Sequence, residues 1–390
     1  MMASPLTDFP VAEYLDRVRR VQALMGERGL DAILVSEPSN YRYFAGWDQP
    51  FGAPWNGYIL TRPFLCVIPR NGDAVTLVHA SFEKAANRCT WISDVRAWSS
   101  LPFRGDYIAD LLKSMGLGGR AQIGLELGEE QRIGFPVQAF LDMSRDLPNT
   151  KFVDCADILW RLRLKKSLAE IECVRKACSI LHEAYEKMFA TVKPGSTEKD
   201  VDFHLRRNMT VEGGQGPNFA FPAIFPGGVI AQTPSDRALQ AGDVLWIDAG
   251  AVYMGYRSDF SRMGVVGKPA AEVQETYTAV REITAATISG IRPGMTATEV
   301  TQLCNKESEK RGMPPKAAGR IGHGIGLTSG EPPSIMVGDD TVLEPGMVFT
   351  VEPGVLRDYG YFVLEEIVAV TESGVDVLTS RSKPEPYRIG

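Results

Sequence analysis

Apolar residues return at helical intervals near the start of the chain. Tyr14, Val18, Val21, Leu24 and Met25 recur three or four residues apart, and the pattern stops at Gly29. Strand-like apolar runs follow at 32–35, 58–60, 65–68 and 75–78. Two further helical patterns, near 107–115 and 137–143, flank a strand at 122–125. Helices and strands that alternate in this way predict an α/β domain.

The pattern changes at RLRLKKSLAEIE. Ser167 with Glu170 three residues later forms a capping box, in which each side chain satisfies the other's free backbone amide. Ile171, Val174, Cys178, Leu181, Tyr185 and Met188 then line one face of a long helix. We place the domain boundary here, giving domains at 1–162 and 163–390. The second domain contains an internal echo. The octapeptide at 194–201, PGSTEKDV, returns as PGMTATEV at 293–300, each copy a Pro-Gly turn, a threonine cap, an acidic partner and a new helix. A duplicated half-domain explains this, and two similar halves facing each other make a cleft.

Composition adds mainly exclusions. The chain has 390 residues, 44% of them hydrophobic, and a net charge of -6, which argues against a nucleic-acid surface or attraction to anionic membranes. No apolar run approaches membrane-spanning length. The opening MMASPLTDFP lacks a basic stretch followed by an apolar one, so a cytoplasmic protein is expected. Six cysteines lie without paired ligand spacing, and buried reduced thiols are the expectation.

The chemistry is concentrated in the last third. Asp248 in VLWIDAG and Asp259 in GYRSDFSR lie on two strand-like segments whose turn centres near Tyr253-Met254, which would set the aspartates face to face across a hairpin. Like charges so placed destabilise a sheet unless a cation lies between them. Glu352 in FTVEPG and the pair Glu365/Glu366 in FVLEEIVAV form a second hairpin, turning near 358–360. Acids inside apolar strands are costly to bury uncompensated. Only one of the adjacent glutamates can point inward, and alternation does not choose between them. His323 in RIGHGIG is the natural nitrogen ligand, with flanking glycines that allow close backbone approach. Carboxylates and a neutral imidazole suit borderline-hard divalent ions, and two such ions can activate a hydroxide for hydrolysis.

These segments, DAG…GYRSDFSR, GHGIG, LEPGMVFTVEPG and LEEIVAVTESG, resemble the metal-binding motifs of the pita-bread family, which includes methionine aminopeptidase, aminopeptidase P, prolidase and creatinase. The likeness spans roughly 160–390. The N-terminal region resembles the creatinase/prolidase N-terminal domain more weakly. The resemblance implies a two-domain α/β fold: a creatinase-like N-terminal α/β domain and a C-terminal pita-bread α+β catalytic domain with pseudo-twofold duplication. It implies two divalent ions (manganese, cobalt, zinc or iron), with Asp248 on one, Asp259 and the last glutamate bridging, and His323 with Glu352 completing the other. The bridging glutamate of the family stands six residues before a Thr-Glu-X-Gly segment, here Thr371-Glu372-Ser373-Gly374, and that selects Glu365. Glu352 would also handle protons. A homodimer is implied as well.

Three positions depart from the prolidase pattern. Ser235 and Gly330 stand where histidines are usual, and Val363 where an arginine is usual. The expected function is a dinuclear-metal hydrolase of the prolidase/aminopeptidase P type, cleaving a dipeptide-like (Xaa-Pro) or other small amide by metal-bound hydroxide. Alternatives are a hydrolase or lyase of a small non-peptide metabolite, creatinase-like or dimethylsulfoniopropionate-lyase-like, and a catalytically silent scaffold. Phe219, Phe221, Ser235 and Gly330 are candidate substrate contacts. So are Trp47 and Trp55 in the aromatic loop GWDQPFGAPWNG.

Overall fold

The computed structural model describes residues 6–47, 62–230, 232–314 and 319–390. The run at 58–60 lies outside the described residues. The chain divides into two compact units, Met1–Arg163 and Leu164–Gly390.

The first unit is built on a six-stranded mixed sheet. Its order is Asp94–Trp98, Val75–His79, Leu65–Pro69, Ala32–Val35, Gln122–Leu125, Lys151–Asp154. Ala32–Val35 is central and buried on both faces, so it is wholly apolar rather than alternating. The helix Val11–Arg28 presents Tyr14, Val18, Val21 and Met25 to the interior and ends where Gly29 turns left-handed at φ 66°. The edge strands Asp94–Trp98 (DVRAW) and Lys151–Asp154 (KFVD) carry charge and are largely unburied, which is why apolar pattern alone passes over them. The helix Pro38–Ala45 also lacks a periodic signature. It is set by Pro38 at its first position and by Glu37, whose carboxylate accepts from the Ser39 and Asn40 amides. Beneath it, buried Glu126 accepts from the Ser36 amide and hydroxyl, the Glu37 amide and the Asn40 side chain.

In the second unit the helix Leu168–Thr191 begins with the Ser167/Glu170 capping box, both hydrogen bonds present. The echoed octapeptides start the helices Glu198–Val211 and Ala297–Lys310, each through a capping box, Thr197 with Asp200 and Thr296 with Glu299. The echo extends to the backbone. Gly195 N donates to Leu239 O and Gly294 N to Leu343 O; Thr197 bridges Ala238 and Thr296 bridges Val342. Each half therefore ties its helix start to the segment leading into a strand of its own sheet by the same contacts.

One sheet runs Tyr387–Ile389, Phe260–Val266, Val244–Tyr253, Pro217–Phe225, with Tyr256–Arg257 added to the third strand. The other runs Glu331–Ser334, His323–Gly324, Val348–Val351, Glu366–Val370, Val375–Val377. A separate ribbon pairs Gly354–Arg357 with Gly360–Val363. Among the described residues no helix is long and apolar enough to cross a membrane. All six cysteines are free thiols, five of them buried.

Candidate metal centre

The acidic residues gather where strand pairing breaks. The Val244–Tyr253 strand turns at Met254-Gly255, both with positive φ, and its register sets Asp248 opposite Ser261 rather than Asp259. Asp259 lies in the gap between Tyr256–Arg257 and Phe260–Val266, where the Ser258 hydroxyl takes up the Ala251 amide. The direct face-to-face pairing of the aspartates is thus corrected. The interruption offsets Asp259 diagonally from Asp248, near enough for both to meet one cation.

Glu352 and Glu365 occupy the matching break of the other half. Val351 pairs with Glu366 in the main sheet and Gly354 with Val363 in the ribbon, which leaves 352–353 and 364–365 outside either ladder. Freed from the pleat, the adjacent glutamates diverge. The Glu365 carboxylate joins the acidic cluster and accepts from Ser261 Oγ at 3.2 Å. Glu366 turns the other way, to Arg262 Nη2 at 3.1 Å, Thr379 Oγ1, and both the amide and hydroxyl of Ser382. Arg262 Nη1 in turn donates to the carbonyls of Ser261 and Glu365, each at 2.8 Å. No apolar pattern marks this buried fork.

His323 holds its ring with Nδ1 3.0 Å from the Gly324 carbonyl. A carbonyl only accepts, so Nδ1 carries the hydrogen, which leaves Nε2 as the nitrogen available to a metal ion. Nε2 lies 3.6 Å from Asp259 Oδ2 and 4.0 Å from Glu352 Oε1. The flanking glycines serve the sheet rather than a ligand. A Cβ at Gly322 would stand 1.9 Å from Thr350 O, and one at Gly324 2.0 Å from Pro332 O.

Two donor triads result, His323/Glu352/Glu365 and Asp248/Asp259/Glu365, each with its ligand atoms within 4.8 Å of one another. Glu365 belongs to both. Burial first, and then the charges of Asp248 and Glu352, push the Asp259 pKa well above the ordinary carboxylate range. Burial and the charges of Asp259, Glu352 and Asp248 do the same to Glu365. Packing four carboxylates together, two of them buried, is unfavourable by itself, and divalent cations are the counter-charge that relieves it. The donor set therefore fits two such ions on chemical grounds.

Tyr185, buried on the Leu168–Thr191 helix, donates to Phe260 O at 2.9 Å and Ile247 O at 3.3 Å, tying together the strands beside Asp259 and Asp248. Its only sequence signal is membership of an apolar helix face.

The other candidate residues separate. Phe221 pairs across the sheet with Asp248, and its ring stacks on Phe219 at 5.1 Å, both half-buried. Ser235 has its amide and hydroxyl both donating to Glu198. A Cβ at Gly330 would have only Arg320 Nη2, at 3.9 Å, within reach. Val363 is buried in an apolar cluster with Trp246, Val355 and Phe362. Trp47 is in the first unit, its ring 5.1 Å from Phe64. Trp55 lies outside the described residues.

Comparison with known proteins gives matches along both units of the chain. The profile described as Metallopeptidase family M24 matches residues 172–372, and that described as Creatinase/Prolidase N-terminal domain matches 17–165. A Xaa-Pro dipeptidase of Pyrococcus furiosus is 29% identical over 377 residues, 94% of this chain and 99% of its own length. Among solved structures, a Xaa-Pro dipeptidase from Bacillus anthracis superposes with a TM-score of 0.83 at 26% identity, covering 96% of this chain and 100% of that one. A recombinant prolidase from Thermococcus sibiricus gives 0.82 at 27% identity, covering 95% and 98%.

Proposed function

The chain belongs to metallopeptidase family M24, and on that premise we propose that it is a dinuclear-metal hydrolase of dipeptide-like substrates, of the Xaa-Pro dipeptidase type. The observation that carries this reading is the pair of donor triads sharing Glu365. Asp248 would hold one ion and His323 with Glu352 the other, with Asp259 and Glu365 between them. When bound, the ions supply Lewis acidity at the scissile carbonyl and acidify a water into a nucleophile near neutral pH.

The protein side chains do the rest. Glu352, the most exposed carboxylate of the His323 triad, is placed to take a proton from the attacking water and return it to the leaving nitrogen. The Gly324 carbonyl keeps His323 in one tautomer. Ser261 steadies Glu365 by its hydrogen bond, and Phe221 beside Asp248 supplies an apolar wall.

The test is turnover of Xaa-Pro dipeptides by metal-stripped protein reconstituted in turn with manganese, cobalt, zinc and iron. We expect turnover with at least one ion and its loss in Asp259→Asn. Absence of cleavage with all four would sink the dipeptidase reading. Product formed in H2(18)O should carry the heavy oxygen in its new carboxylate; product without it would mean elimination rather than hydrolysis.

A further inference from the structure

One phenol beside the carboxylates has no function in the scheme above. Tyr361 lies on the Gly360–Val363 strand of the ribbon, and its ring stands edge-on to Trp246 at 5.0 Å between centroids. Trp246 precedes Asp248 by two residues and so lies on the same face of the same strand. On its other side the phenol overlies Gly354, two residues after Glu352. A Cβ at Gly354 would meet Tyr361 Oη at 3.1 Å and Val363 Cγ2 at 2.9 Å. The ring thus lies against the strand that carries Asp248, and its hydroxyl lies beside the segment that carries Glu352.

The Tyr361 hydroxyl makes no hydrogen bond among the described residues, and the residue is only part-buried. A ring needed only for packing against Trp246 would serve as well as phenylalanine. The hydroxyl is not sealed inside the fold, so a partner from outside can reach it. A substrate oxygen arriving at the carboxylates would supply that partner. The cluster is otherwise rich in acceptors, so a neutral donor at its edge is the complementary element. Burial, with the charges of Glu352, Asp248 and Glu365, pushes the phenol pKa up, which keeps the O–H in place throughout the neutral range.

We propose that Tyr361 is a catalytic residue of this site, its O–H donating to the carbonyl oxygen of the scissile amide as that oxygen gains charge. The inference rests on the hydrolase reading. In the step, water adds to the carbonyl carbon, the C=O π pair moves onto the oxygen, and the Tyr361 hydrogen bond shortens against the new negative charge. The pair then returns, the C–N bond breaks, and the proton from water leaves with the nitrogen. Tyr361 keeps its proton throughout. A donor that acts on the transition state lowers kcat and leaves KM nearly unchanged when removed.

The test is Tyr361→Phe in the full-length, manganese-loaded protein. We expect kcat on Xaa-Pro dipeptides to fall about 100-fold, with KM within about threefold. Calorimetry with a phosphinic dipeptide analogue, a tetrahedral anionic mimic, should show roughly 10- to 100-fold weaker binding. Manganese affinity and the melting temperature should stay at wild-type values. Unchanged kcat and analogue affinity in Tyr361→Phe, with an active wild type, overturns the inference alone. Manganese affinity falling in step with activity also overturns it, since the hydroxyl would then serve the ion site. A wild type that neither cleaves the dipeptides nor binds the analogue overturns the hydrolase reading and this inference together.

Discussion

Removing the guanidinium of Arg262 should destabilise the second unit more than its distance from solvent chemistry suggests. Arg262 and Glu366 form an ion pair at 3.1 Å with side chains only 3% and 5% exposed. The same guanidinium satisfies the carbonyls of Ser261, Glu365 and Ser380. Arg262→Met therefore strands a buried carboxylate and leaves three carbonyls short of a donor. Breaking a buried pair from one side costs about 3–5 kcal/mol. For a unit of roughly 230 residues the melting temperature falls about 2–3 °C per kcal/mol, so the expected drop is roughly 6–15 °C. Differential scanning calorimetry of the metal-free protein measures it. Arg262→Lys should recover less than half, because one nitrogen cannot reproduce a planar fork that serves four acceptors. The double variant Arg262→Met/Glu366→Gln should be more stable than the sum of its singles by about 1–3 kcal/mol. A drop under 2 °C for Arg262→Met, or strict additivity in the cycle, would refute the reasoning.

Two further outcomes are expected. In the first unit, burial and the neighbouring Glu37 charge push the Glu126 pKa up from 4.5 to about 7. The folded carboxyl then keeps its proton where the unfolded one has lost it, so stability falls as pH rises from about 4.5 to about 7, by on the order of 3 kcal/mol from this group. Glu126→Gln should flatten that slope in urea titrations across the window, and an unchanged slope would exclude Glu126 as its source. Asp259→Asn should have opposite effects with and without metal. It removes a like charge and raises the melting temperature of stripped protein, and it lowers the gain on adding manganese, which for a site at 100 times its Kd is about 2.7 kcal/mol. Equal manganese gains in wild type and variant would refute its role as a ligand.

The parts of the fold legible in the sequence are those where local and tertiary preferences coincide. The three capping boxes and the Gly29 stop are local hydrogen-bond chemistry and need no distant partner. Ala32–Val35 is wholly apolar, and Val75–His79 largely so, because both of their faces are covered. Edge strands such as Lys151–Asp154 face water and carry no such signature. At the candidate metal centre, residue types and order were readable, but placement was not. Strict alternation assumes an unbroken ladder, and both acidic hairpins break at the candidate ligands. The same break is why periodicity could not separate Glu365 from Glu366. Arg262, Ser261 and Tyr185 act through contacts as far as 118 residues away in sequence. Tyr361 sits two residues from Val363, a position read only for the arginine it lacks. Ser235, read as a recognition residue, is tied to Glu198 by partners that a linear pattern does not display.

The near-repeat of the two halves bears on how the centre would fill. The scaffold is symmetric to the level of individual amide contacts at its helix starts, yet the donors are unevenly divided. The first half contributes Asp248 and Asp259, and the second contributes His323, Glu352 and Glu365. One cavity wall is therefore all oxygen and the other includes nitrogen, which differ in their appetite for hard and borderline ions. The occupants need not be equivalent in identity, order of arrival or residence time. A nearly repeated fold thus frames an unsymmetrical centre, and a bound peptide would meet an oxygen-only set of donors on one side and a nitrogen-bearing set on the other.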